Sequence, residues 1–146
     1  MGTINDYMSR HHKDCDGVFA RAEQMAGESD WAGLQREGGL FLREMERHIG
    51  MEEDVLFPAF VDRTGMADGP VETMRMEHEQ MRGMFEQMRA AIEAKDAEQY
   101  LGVGETLLVL LQQHNMKEEN ILYPMLDESL GEEARSLLAQ IEPAAA

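Results

Sequence analysis

The chain has 146 residues, 29 of them acidic and 13 basic, for a formal charge of −16. That length suits one domain with a core of its own. The charge leaves no basic face for a nucleic-acid backbone and disfavours anionic membrane surfaces. The single cysteine, Cys15, excludes an intrachain disulfide.

The first twenty residues contain no continuous apolar run of the signal-peptide kind, and the longest apolar run, Leu107 to Leu111, is far too short for a membrane span. The expected setting is cytoplasmic. The 13 methionines fall mostly at core spacing, as adaptable filler.

In chain order, the spacing predicts a first helix over about 3–26. Met8, His12, Cys15, Phe19 and Ala22 form its buried stripe, and Gly27 ends it. Ser29 and Asp30 offer an N-cap for a second helix running to about 61. Phe41, Met45, His48, Glu52, Val55 and Phe60 share its inner side, and Pro58 is expected to kink its last turn. A third helix opens at Gly69-Pro70, carries Met74, His78, Met81, Phe85, Met88 and Ile92 inward, and ends near residue 95. The fourth starts at Asp96, with Gln99 placed to complete a capping box. Its face is Leu107, Leu110, Leu111, His114, Glu118, Ile121, Leu122 and Met125, and Pro124 is expected to kink it. Ser129 to Glu132 read as a further capping box, opening a short fifth helix through about 141, and the tail from Pro143 is expected to fray. No strand alternation appears. The prediction is an all-α single domain over 1–146: a bundle at about 3–127 and a C-terminal helix at about 130–141. Short connections make sequential helices antiparallel.

The chain is internally duplicated. His12 and His78, His48 and His114, Glu52 and Glu118, Pro58 and Pro124 all stand 66 residues apart, as do Met8 and Met74, Phe19 and Phe85. Each half is a helical hairpin with one histidine on its first helix and a His-x-x-x-Glu on its second. The offset selects His12 over its neighbour His11, because residue 77, the counterpart of His11, is Glu77. His11 is read as an outer partner or a solvent-facing group.

Residues four apart on a helix share a face, so each His-x-x-x-Glu aims an imidazole and a carboxylate at one point. A lone histidine on an apolar stripe is usually a hydrogen-bonded core group. Four of them with two in-phase glutamates on one offset are a different matter. Two unpaired carboxylates converging in a core would cost several kcal/mol each, and bound cations remove that cost. His12, His48, His78, His114, Glu52 and Glu118 suit a pair of first-transition-series ions. Two bridging carboxylates, each shared by both ions, would leave two histidines per ion and open positions for a small ligand. Glu53 and Glu119, one residue off the stripe, are read as outer partners or surface groups. The second histidine of a zinc-protease helix is missing after His78, and the Glu-x-x-His spacing of ferritin-type sites is absent.

The segments Arg10 to Asp16, His48 to Pro58, Met76 to Met81 and His114 to Pro124 together resemble the hemerythrin-like, HHE cation-binding family. The resemblance spans about 3–127 and implies an up-down-up-down four-helix bundle with a non-haem di-iron centre. Its ligand positions map to His12, His48, Glu52, His78, His114 and Glu118. Arg82 stands four residues after His78, where the five-histidine oxygen carriers have another histidine. The pattern therefore is similar to the four-His, two-Glu members, which include repair-of-iron-centres proteins.

The function so implied is binding of O2, NO or peroxide at an open iron position, for sensing, protection or storage. Zinc and manganese are possible substitutes for the two irons. The alternatives are iron donation to damaged iron centres and an interaction module whose metals are structural. A ligand-binding role is expected over enzymatic turnover, and no acid–base group argues specifically for peroxide consumption. Cys15, one turn from His12, is read as a packed core thiol.

Overall fold

The computed structural model describes residues 2–142, and all their regular structure is helical. The α-helices are α1 (Ile4–Gly27), α2 (Trp31–Gly50), α3 (Phe57–Thr64), α4 (Pro70–Ala94), α5 (Ala97–Lys117), α6 (Tyr123–Leu130) and α7 (Glu133–Ile141). Two π-helical segments interrupt this series, Met51–Leu56 between α2 and α3 and Glu118–Leu122 between α5 and α6.

Helix starts follow from local chemistry. Thr3 and Asp6 close a reciprocal capping box on α1, at 3.0 and 3.1 Å. The Asp30 carboxylate accepts from Gly33 N at 2.9 Å to cap α2. Asp96 does the same for α5, accepting from Gln99 N at 3.0 Å. The Gln99 side chain completes no box there. Pro70 occupies the first turn of α4, where its missing N–H costs nothing.

The expected proline kinks take a different form. Pro58 and Pro124 lack the N–H that would bond the carbonyl four residues back. The chain instead widens by one residue, so that Phe57 N–H bonds the Glu52 carbonyl and Tyr123 N–H bonds the Glu118 carbonyl, each five residues back. That extra residue shifts the inward phase. Ile121, expected on the inner face, is 56% exposed, while Tyr123 is fully buried. In the first half, Phe57 turns inward and Val55 is only half-buried.

The capping box expected at Ser129 does not form. Ser129 lies inside α6, and Gly131 breaks the chain with φ +54° before α7 begins. The tail expected to fray, 143–146, lies outside the described residues.

The long helices form a closed ring, α1 against α2 and α5, α4 against α2 and α5, while α7 packs on α6 and the Met51–Leu56 segment. Two apolar clusters fill this helical bundle. One gathers Phe19, Phe41, Phe85, Tyr100 and Leu107; the other gathers Met8, Phe57, Phe60 and Leu126 with Leu137 of α7. Each large side chain so buried contributes roughly 1.5–3 kcal/mol. Along all four long helices the polar residues fall between the two clusters: His12 between Met8 and Cys15, His78 between Met74 and Met81. The apolar layers above and below thus shield the polar layer from water. No helix among the described residues is long and apolar enough to cross a membrane.

Candidate metal centre

α1 supplies His12, α2 His48, α4 His78 and α5 His114, while the two widened turns supply Glu52 and Glu118. All six are buried, the two glutamates completely. His78 Nε2 lies 3.0 Å from Glu52 Oε1, and His12 Nε2 lies 3.0 Å from Glu118 Oε1. His114 Nε2 is 3.3 Å from Glu118 Oε1, and His48 Nε2 is 3.6 Å from Glu52 Oε2. Their donor atoms fall into two sets of mutually close atoms, one from Glu52, His78, His114 and Glu118, the other from His12, His48 and Glu118. Glu118 belongs to both sets. Glu52 belongs to one, and its Oε2 faces the Tyr123 hydroxyl at 2.7 Å.

The far nitrogen of each ring is fixed by a partner. His12 Nδ1 donates to Glu119 Oε2 at 2.7 Å, His78 Nδ1 to Glu53 Oε2 at 2.7 Å, and His114 Nδ1 to Glu77 Oε1 at 2.8 Å. A carboxylate only accepts, so in the neutral rings of His78 and His114, whose Nε2 atoms make no hydrogen bond, the proton sits on Nδ1 and Nε2 presents a bare lone pair to the centre; His12 has a carboxylate at both nitrogens, with Glu118 Oε1 3.0 Å from Nε2. Such carboxylate–imidazole pairs orient metal-binding histidines and raise their basicity.

His48 reaches the same state through an intermediary. His11 Nε2 donates to Glu44 Oε1 at 3.0 Å, leaving His11 Nδ1 to accept from His48 Nδ1 at 2.8 Å. His11 is therefore a buried outer partner in the role that Glu77, its counterpart 66 residues on, plays for His114. Burial, despite the hydrogen bond to Glu44, lowers the His11 pKa and keeps the ring neutral, as this acceptor role requires. Glu53 and Glu119 are likewise oriented partners of the imidazoles. Arg82 bonds Glu53 at 3.0 Å, and Lys117 bonds Glu77.

The charges inside this layer are strongly coupled. Burial pushes His48 down, but Glu52 and Glu118 outweigh it and lift its pKa to about 9. Burial likewise opposes His114, and Glu118 with Glu52 and Glu77 lifts it to about 9. Burial disfavours the Glu118 carboxylate, yet the neighbouring Glu52, His114 and His12 side chains hold it well below the usual range. Burial pushes the Cys15 thiol up to about 12; it packs in the core with Sγ 4.0 Å from His11 Nε2.

The donor set fits a metal. Glu52 Oε1, His78 Nε2, His114 Nε2 and Glu118 Oε2 are buried yet make no hydrogen bond. The 3.0 Å approach of His78 Nε2 to Glu52 Oε1 has the length of such a bond but not its direction. Lone pairs that converge without pairing cost 1–3 kcal/mol or more each. A cation at their focus satisfies them together.

The sequence reading missed Tyr123. Its hydroxyl lies 2.9 Å from Glu118 Oε1 and 3.2 Å from both His12 Nε2 and His48 Nε2. Burial, with the charges of Glu118 and Glu52, pushes its pKa well above the ordinary value. One signal was available: Tyr123 stands 66 residues after Phe57. Phe57 stacks on His78 at 6.0 Å between ring centroids, and Tyr123 stacks on His12 at 5.6 Å. The two rings are counterparts, and only one carries an oxygen.

A helical bundle with buried imidazoles and carboxylates converging between its apolar layers defines a cation-binding class. Residues 3–126 match the Hemerythrin HHE cation binding domain, and the chain belongs to that family. A curated relative, the iron-sulfur cluster repair protein YtfE of Yersinia pseudotuberculosis serotype IB (strain PB1/+), is 26% identical over 136 residues. The match covers 83% of this chain and 61% of that protein, so the chain spans about three-fifths of the relative's length. No solved structure matches this chain.

Proposed function

We propose that this domain holds two non-haem iron ions at His12, His48, Glu52, His78, His114 and Glu118, and takes up a small ligand (O2, NO or peroxide) at an open coordination position, for sensing, protection or storage. The observation that carries the reading is the set of four buried donor atoms, two imidazole and two carboxylate, that converge without hydrogen bonds. Bound iron supplies a redox-active position for a diatomic or peroxide ligand. The residues of the chain supply the rest. Four helices in up-down-up-down order present one histidine each. The Nδ1 partners fix the direction of every imidazole, and the apolar layers on both sides exclude bulk water.

A second reading, donation of iron to damaged iron centres, is favoured by the likeness to the Yersinia iron-sulfur cluster repair protein. Metal analysis of protein purified without added iron, with optical spectra before and after air, NO and peroxide meet the reduced form, tests the first reading. Iron-loaded protein whose spectrum ignores all three ligands refutes it. Chelator-labile iron that rebuilds a damaged cluster in a partner protein selects the second.

A further inference from the structure

The two donor sets are unequal. One has four donor residues, Glu52, His78, His114 and Glu118; the other has three, His12, His48 and Glu118. Around the smaller set stands the Tyr123 hydroxyl, 2.9 Å from Glu118 Oε1 and 3.2 Å from each of the two Nε2 atoms.

Those spacings are meaningful. Nitrogen and oxygen ligands at about 2.0–2.1 Å from an ion stand about 2.9 Å apart when cis in an octahedron and about 3.3 Å apart in a tetrahedron. The phenol oxygen lies within that window from all three members of the smaller set. Its distances match the one that already separates His12 Nε2 from Glu118 Oε1, 3.0 Å. The duplicated half offers the contrast. Phe57 occupies the equivalent place beside His78, has no oxygen, and lies against the set that already has four donors.

We propose that Tyr123 is a direct ligand, its phenolic oxygen completing the ion site of His12, His48 and Glu118. On ligation the O–H bond breaks, an oxygen–metal bond forms and the proton leaves to solvent, with no change of oxidation state. The assignment rests on the metal-centre reading above, and it makes the two ion sites chemically distinct: one with a phenolate, one without.

Visible absorption and resonance Raman spectra of the iron(III)-loaded protein, with iron content measured on the same samples, test it. Tyrosinate bound to iron(III) gives a visible charge-transfer band and resonance-enhanced ring vibrations. Wild type should show both, and Tyr123→Phe should lose both while folding normally, because phenylalanine already fills the counterpart place at Phe57. The chain has three tyrosines. The double variant Tyr7→Phe/Tyr100→Phe, keeping Tyr123 alone, should therefore retain the signature, and this comparison stands even if Tyr123→Phe misfolds. Iron-loaded wild type without the signature, or a signature that survives Tyr123→Phe or vanishes from the double variant, overturns the assignment and leaves the metal centre standing. A chain that binds no iron overturns both.

Discussion

Replacing Glu118 with glutamine is the sharpest test of the site, because Glu118 is the one residue common to both donor sets. Glutamine keeps the shape and removes one charge, so no cavity obscures the result. In the metal-free protein, burial lowers His114, and Glu118 leads the influences that raise it, with a net rise from 6.5 to about 9. That rise corresponds to roughly 3 kcal/mol of preference for the imidazolium. Without the Glu118 charge, His114 should titrate more than about one pH unit lower, which is about 1.4 kcal/mol. Imidazole resonances followed by NMR through a pH series on chelated protein read this directly. Iron binding should weaken by more than about 100-fold, since loss of an outer partner alone costs 10–100-fold. Glu52→Gln, which removes a donor from one set only, should leave one ion bound. Glu118→Gln that still holds two ions, or two variants that lose iron to the same extent, would refute this reasoning.

Glu77→Ala and Glu119→Ala each free the Nδ1 of one histidine, and iron affinity by competition with a chelator should drop roughly 10–100-fold while the helical circular dichroism stays unchanged. Histidines 48 and 114, raised to about 9, add stability to the metal-free protein that is complete below their ordinary 6.5 and is lost as pH climbs through 9. Glu118, lowered, adds stability present above the ordinary carboxylate value and lost in acid. The thermal stability of chelated protein should therefore fall from pH 6.5 to 9, whereas that of iron-loaded protein should rise over the same interval because binding requires bare imidazoles; a flat profile for the chelated form contradicts the pairing. Cys15, buried with its thiol pushed up to about 12, should react with thiol reagents only on unfolding, and rapid stoichiometric labelling of native protein would contradict its place in the core. Phe85→Ala should cost about 3–5 kcal/mol in denaturant unfolding, and a loss under about 1 kcal/mol would show that Phe85 is not in a packed interior.

Helix identity and number along the four long segments were legible from spacing alone, because apolar periodicity and the caps at Asp30 and Asp96 act locally. The convergence of His12, His48, His78 and His114 with the two glutamates was legible from the 66-residue offset, since duplicated halves must place equivalent residues equivalently. The widened turns were not legible. The regular helical period carries Glu118 on to Ile121 and Leu122, and nothing in that period announces the extra residue that brings Tyr123 inward. Proline was read for what it removes, an N–H, and not for what the preceding turn does to compensate. The partners of the Nδ1 atoms were only half visible. Glu53 and Glu119 sit beside the ligands in sequence, but the pairing of His48 with His11 and Glu44 crosses between α1 and α2 and has no local signature. Ser129 illustrates the opposite error: its capping pattern is sound, but a helix already under way from Tyr123 includes it.

The buried layer is sealed from water but not insulated from it electrically. Arg82 and Lys117, both partly exposed, reach inward to Glu53 and Glu77, which in turn hold His78 and His114. Arg47 likewise pairs with Glu44, which holds His11 and through it His48. Glu119, behind His12, has no such cation within ion-pairing reach among the described residues. Three of the four imidazoles thus communicate with the surface through a cation–carboxylate relay, while His12 keeps an undiluted negative neighbour. Acylation of Lys117 acts from outside on the His114 side of the chamber without opening it.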